Sequence, residues 1–380
     1  MLALRYGAPR ACSRVMAFAQ VSFESLSYAA DVHSLRDVPL GSELLLEFDE
    51  NVVDVRVENG SPQDLSIRAD GGCSVTVQEE LVNNNNNNNS TSSDRARYIV
   101  KLNDTKEGHS RGRPHVWAGI PPRYFGLRVQ TGGNVELVGG IKEARDIHIR
   151  THGGRILSKS GLSTETLALF SGGGSIQATD VTAAEADINA RRAEHGLIET
   201  GNGSGEYSED VQIRKVSCLR LSVQGRDVRI DSLNSRSAHV SGATVSVGNT
   251  NTLDGEALFH LRGDKNTHPS AYLGGVDGKI VLDDGGNDAA VEVQLNHNAR
   301  RVEFRTSAKT EVCCYKTPEL RIIEETGGNR DCARHTRGDT GHEVGLQPEC
   351  RMVTVNARGS RKPKIENRSW RASVEQRLPK

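Results

Sequence analysis

Four aspartates lie close together in the chain: Asp277, then Asp283, Asp284 and Asp288 in the string VLDDGGND. Paired carboxylates can divide the acid and base roles of glycosidic-bond cleavage, or gather around Ca²⁺. The plainer account is that Asp-Gly and Asn-Asp are ordinary turn formers. Aromatic side chains, which line sugar grooves, make up only 4% of the chain. Cys332, His335, His342 and Cys350 have soft-ligand identities, but spacings of 3, 7 and 8 do not match the short paired spacings of structural zinc sites. Cys313 and Cys314 are adjacent, so a strand would point them to opposite faces. His148 and His152 fall in a stretch with strand character and are not a helical pair. GGGS from Gly172 lacks the Gly-Lys-Ser/Thr ending of a phosphate-binding loop. No catalytic, cofactor-binding or metal-ligating residue is assigned, no cofactor is expected, and the chain reads as a non-enzyme.

The elements that would position any such group are read from pattern. Lys and Arg number 48 against 49 Asp and Glu in 380 residues, a formal charge of −1. That balance disfavours a nucleic-acid partner. No apolar run is long enough for a membrane span. The seven cysteines, Cys12, Cys73, Cys218, Cys313, Cys314, Cys332 and Cys350, are odd in number and irregularly spaced. They argue against a disulfide framework and for a reducing compartment.

The ends differ from the rest. Residues 1–24 read as a disordered or targeting segment. Arg5, Arg10 and Arg14 precede the first acid, Glu24, which is the composition of a mitochondrial presequence. The alternative is a cytoplasmic protein with a basic start. From Asn356 the chain carries eight Lys/Arg and two Glu, a solvated basic tail.

Residues 25–120 read as an N-terminal β region, with strand-like runs at ELLLEFD, VVDVRVE, LSIRA, CSVTVQEE and ARYIVKLN. The Asn83–Asn89 homopolymer buries nothing apolar, so 81–94 reads as a disordered loop. From Phe125 a pattern recurs: apolar-x-apolar, polar residues, a glycine turn, then x-apolar-x. It appears at Leu127, Ile147, Leu167 and Asp187, and more loosely at Leu219, Ala238 and Ala271. Leu127, Ile147 and Leu167 are evenly spaced, and Gly133, Gly154 and Gly173 keep close to the same beat.

A period of about 20 residues is too short for paired helices and fits stacked coils of short strands. One coil cannot bury its apolar face alone; coils about 4.8 Å apart pair their amides and align their inward side chains in columns. Val135, Ile156, Ile176 and Ile198 are expected in one column, and Leu127, Ile147, Leu167 and Ile188 in a second. The narrow interior suits aliphatics over rings. The expected fold is therefore all-β: a single-stranded β-solenoid, or β-helix, with coils of about 20 residues, occupying 121–316. Residues 25–120 cap one end. Residues 317–380 form a C-terminal β cap with an inserted loop at 326–350, the basic tail and Trp370 packed into it. A β-sandwich is the alternative, but it does not require glycines at this beat.

The stretch WAGIPPRYFGLRVQTGGNVELVGGIKEARDIHIRTHGGRIL resembles the opening of the putative-adhesin β-helix domain, a family of unknown function. Leu127, Val129, Thr131, Gly133, Val135 and Leu137 follow the family pattern in order, as do Ile147, Ile149, Thr151, Gly154 and Ile156. The resemblance runs from about Ser25 to the tail and is nearest to eukaryotic, full-length members. It carries over to MVTVNARGSRKPKIENRSW; the Asn run and GGNRDCARHTRGDTGHEVG depart from it as insertions. It implies a β-helix and supplies no catalytic residue. The expected function is a structural or protein-interaction scaffold, monomeric or weakly oligomeric, whose partner is a protein or polymer. The alternative is a polysaccharide-cleaving enzyme on the same fold.

Overall fold

The computed structural model describes residues 31–48, 51–70, 73–82, 95–103, 113–122, 124–192, 209–263, 267–307, 311–315, 321–326 and 352–358. Within them all regular structure is β. The first strands are β1 (Asp31–Leu35), β2 (Glu43–Glu47), β3 (Asp54–Asn59), β4 (Leu65–Asp70), β5 (Val75–Val82), β6 (Arg95–Leu102) and β7 (His115–Ile120). Short strands follow: β8 (Gly126–Thr131), β9 (Val135–Val138), β10 (Ala144–Thr151), β11 (Ile156–Ser158) and β12 (Leu162–Phe170). The middle is made of long ones, β13 (Ile176–Asn189), β14 (Val211–Gln224) and β15 (Asp227–Gly242), then β16 (Thr244–Val247), β17 (Thr250–Leu261), β18 (Ser270–Asp283) and β19 (Ala290–Ser307). β20 (Glu311–Tyr315), β21 (Arg321–Thr326) and β22 (Met352–Arg358) close the series.

Three parallel ladders run through these strands. In the first, Leu127, Ile147, Leu167, Ala186, Leu221, Ala238, Ala257 and Ile280 stand in register. Val129, Ile149, Leu169, Ile188, Val223, Val240, Phe259 and Leu282 form the adjoining column. In the second, Val135, Ile156, Ile176, Val211, Val228, Val245, Ala271 and Val291 align. The third holds Leu162, Val181, Val216, Leu233, Thr250, Val276 and Leu295. These columns are buried together in one apolar core.

Two column members differ from expectation. Ile188 belongs beside Leu169, and Ala186 takes the place next to Leu167. Val211 follows Ile176; Ile198 lies outside the described residues, as do residues 1–24, most of the Asn-rich stretch, all of the expected 326–350 loop but Thr326, and Trp370. The stretch from Ala271 also differs in phase: its two apolar pairs serve the second and first ladders by way of Val276 on the third.

The long middle strands show why one rung can serve all three ladders. In β13 the buried residues are 176 and 178, 181 and 183, then 186 and 188. Strict alternation is broken twice by two successive outward residues, at 179–180 and 184–185. β14 repeats the pattern. Period-2 alternation keeps a flat strand half buried; two outward residues in a row turn the chain so that the next apolar pair faces the same interior. Val211, Val228 and Val245 recur at a tighter beat than Val135, Ile156 and Ile176, because the middle rungs have shed the longer corners of the early ones.

The ladder extends below residue 121, but out of chain order. β8 pairs in parallel with β2, and β9 with β3. β2 and β3 then pair on their other side with β6 and β7. The rung nearest β8–β9 in sequence is thus one place removed in space. Beyond it the pairing reverses: β5 lies antiparallel to β6, β4 to β7, and β1 to β4. At the far end β19 is followed by β20 on the second ladder and by β22 on the first, with β21 beside β22.

Candidate functional site

The corner between the first and second ladders is built from hydroxyls and glycines. Thr131 Oγ1 donates to the Val53 carbonyl at 2.6 Å and accepts from the Gly133 N–H at 3.1 Å. One rung on, Thr151 Oγ1 lies 2.7 Å from the Gly154 carbonyl and 3.0 Å from that of Ser171. Ser171 Oγ in turn bonds the Gly174 carbonyl. All three hydroxyl residues are buried, and their bonds help satisfy the backbone polar groups of the corner. A Cβ on Gly154 would lie 1.9 Å from the Gly133 carbonyl oxygen, and one on Gly174 would lie 2.2 Å from that of Gly154. The stacked glycine is therefore Gly174, one residue past the expected Gly173. Close approach of successive rungs, rather than a left-handed backbone, is what demands glycine at Gly154 and Gly174. GGGS from Gly172 is this same corner.

The aspartates do not gather. Asp277 accepts from Asn296 Nδ2 at 3.2 Å on the third ladder. Asp283 ends the first-ladder segment that starts at Lys279, about 13 Å of extended chain away. There Asp283 Oδ1 accepts the Gly285 N–H at 2.9 Å, and the buried Asp284 accepts the Gly286 N–H at 2.8 Å. These bonds hold a turn. Cys332, His335, His342 and Cys350 lie outside the described residues. Cys313 and Cys314 occupy strand β20 in register with Glu292 and Val293. His148 sits on β10 between Arg128 and Ala168 in register, and His152 is exposed in the glycine corner. Among the described residues, no three His, Cys, Asp or Glu side chains are grouped as metal ligands would be.

A concavity of about 680 Å³ occupies the corner between the third and first ladders, on β13, β14 and β15. Thr182, Ser217 and Asn234 form one bank, and Leu219 and Arg236 the other. The buried Ala183, Cys218 and Ser235 line its bottom. Burial pushes the Cys218 thiol up from its usual pKa, only partly offset by Ser235, so little thiolate forms there near neutral pH. Leu219 is 59% exposed, and successive banks repeat at the strand spacing, about 4.8 Å. Thr182, Ser217 and Asn234 belong to a longer outward row, Ser163, Thr182, Ser217, Asn234, Asn251 and Asp277. The sign of this groove in the sequence is the five-residue beat of Val211, Val216 and Leu221, which the more conspicuous glycines conceal.

Outer charges are paired along the ladders. Arg56 faces Glu136 at 4.0 Å, and Lys159 also bonds Glu136. Asp180 bonds Arg214 at 2.5 Å, and Glu185 bonds Arg220 at 2.9 Å. Exposed pairs of this kind add little stability, about 0–1 kcal/mol each, but they leave the walls without a dominant sign. Among the described residues no helix is long and apolar enough to cross a membrane.

No protein-family model matches the chain, and no curated protein sequence matches it. Among solved structures, a putative adhesin from Bacteroides fragilis aligns over 90% of this chain and 98% of its own, at 8% identity and a TM-score of 0.22. None of these comparisons shows a family for the chain.

Proposed function

We propose that the protein is a non-enzymatic β-solenoid of the putative-adhesin kind, acting as a structural or protein-interaction scaffold. The observation that carries this reading is the return of the chain, from β8 to β19, to the same three parallel ladders in register. A chain that winds in this way presents long walls whose outward rows repeat at strand spacing. Such surfaces suit another protein or an extended polymer. The second-ladder row Glu136, Leu157, Gln177, Gln212, Arg229 and Ser246 is one of them. Binding without chemistry is favoured by turn-held aspartates and a buried thiol.

A photo-crosslinking residue placed singly at Gln177, Gln212 and Ser246 tests the reading in cells. The scaffold predicts one discrete adduct shared by neighbouring positions. No adduct at any of the three, together with reducing ends released from a polysaccharide panel and lost in Asp283→Asn, would replace it with the enzyme. The address proposed for the chain is mitochondrial, from Arg5, Arg10 and Arg14 ahead of the first acid. A tagged chain lacking residues 1–23 is then expected to stay in the cytoplasm.

A further inference from the structure

Among the described residues β5 pairs only with β6, so its other side is a sheet edge. The phase of that edge is set by one bond. The Asn103 N–H donates to the Ser74 carbonyl at 2.9 Å. In an antiparallel pair the residues that exchange backbone bonds with the partner alternate. Ser74, Thr76, Gln78 and Glu80 therefore direct N–H and C=O towards β6, while Val75, Val77, Glu79 and Leu81 direct theirs away. His33 agrees with this phase: its Nε2 lies 3.1 Å from the Val75 carbonyl oxygen. Past that contact, three N–H and three C=O groups, those of Val77, Glu79 and Leu81, line the edge. Leu81 is 66% exposed, and Glu79 and Glu80 are exposed.

Such a row is a template for an incoming strand. Its charge selects which one. Arg97 stands opposite Glu80 in the ladder but directs its guanidinium to Glu43 at 3.3 Å. Among the described residues, Glu79 accepts a single long bond, 3.5 Å, from the neutral Tyr98 hydroxyl. A second copy of β5, paired about a two-fold axis through residue 79, would set Glu79 against its own counterpart and Glu80 opposite Gln78, and facing like charges destabilise a sheet. That register is disfavoured for a second copy, while Glu79 and Glu80 favour a cationic strand. We propose that the β5 edge is a docking site for an extended peptide carrying Lys or Arg at alternate positions, added as a further antiparallel or parallel strand. This stands on the edge alone and holds whether or not the walls bind a partner.

The test uses the full chain and eight-residue fluorescent peptides that alternate Val with Lys, Glu or Ser. The Lys peptide is expected to bind and to slow amide exchange at Val77, Glu79 and Leu81, with affinity falling as salt rises. Glu79→Pro removes an edge N–H and no bond to β6. Relative to Glu79→Gln, which removes only the charge, it should weaken binding by about tenfold at unchanged Tm. Gln78→Pro, by contrast, removes a β6 bond and should lower Tm. Replacing Glu79 and Glu80 together by Lys should transfer preference to the Glu peptide. Three results would overturn the proposal: equal binding of Lys and Glu peptides, undiminished binding by Glu79→Pro, or a dimer of the free chain that already protects the three amides.

Discussion

From β13 to β15 the chain lays each rung directly on the one before, whereas between β2 and β9 it does not. In the middle, residues 211–224 and 228–240 repeat one another, and every strand finds an equivalent strand on each side. Near the N-terminus, β2–β3 is enclosed by β6–β7 on one side and β8–β9 on the other, and the outermost strands run antiparallel. The inward residues are the same kind in both regions: Val100 and Leu46 continue the column of Val129 and Val223. What differs is the length of chain closed before a rung is complete. An in-order rung needs only its neighbour, while the enclosed rung needs contacts about 80 residues apart, such as Val55 with Val135. Reversal at the end also replaces an endless parallel stack by strands that can stop.

The largest effect expected in the middle comes from the glycine corner. Gly154→Val should cost more than about 4 kcal/mol, or prevent folding, because the added atoms meet the Gly133 carbonyl. Gly286→Ala, whose Cβ would meet nothing within 4 Å at φ +88°, should cost about 1–2 kcal/mol from its left-handed backbone. Equal losses in urea denaturation would remove close approach as the reason for the motif.

A matched pair tests whether the two regions unfold together. Val223→Ala and Val100→Ala delete the same atoms from the same column, each from a fully buried site. Each should cost about 2 kcal/mol. With coupling carried by nearest rungs, Val100→Ala should speed amide exchange in β5–β7 and leave β13–β15 unchanged. Acceleration throughout would make the ladder a single cooperative unit.

The free cysteines sharpen the same contrast, since Cys73 lies at the N-terminal end and Cys218 in the middle. Burial raises both thiols above their usual pKa, so less thiolate is available at pH 8. Alkylation, followed by peptide mapping, should be slow at both in the folded chain and faster at Cys73, beside the edge strands. Faster reaction at Cys218 would reverse the ranking of the regions.

The smallest effect concerns pH. Burial lowers the His239 pKa below its usual 6.5, with His260 and Arg262 adding repulsion. The unfolded chain then binds the proton more readily than the folded one. Stability is full above about 6.5, falls as pH drops below it, and levels off below the folded value. His239→Gln should flatten that slope in Tm against pH and leave the N-terminal end unaffected; an unchanged slope would assign it elsewhere.

The glycine corners were legible because Thr131, Gly133, Thr151 and Gly154 are consecutive in the pattern and act on adjacent rungs. The five-residue beat of Val211, Val216 and Leu221 was equally present and was obscured by the longer period of the glycines. The groove at Thr182, Ser217 and Asn234 follows from that beat. The carboxylates could not be resolved in the same way: Asp277 and Asp283 are near in sequence, but the extended strand between them carries them apart.

By itself, the sequence determined the all-β character, the inward columns and the corners that need glycine, because each is a local requirement met within one rung and its neighbour. Tertiary structure decided that β2–β3 slides between β6–β7 and β8–β9, that the end reverses direction, and that, among the described residues, β5 pairs on one side only. Those outcomes depend on which of several equally apolar rungs pair, and a column of Val, Leu and Ile offers the same burial to each of them; the choice falls to chain connectivity and to the backbone bonds left over at the end.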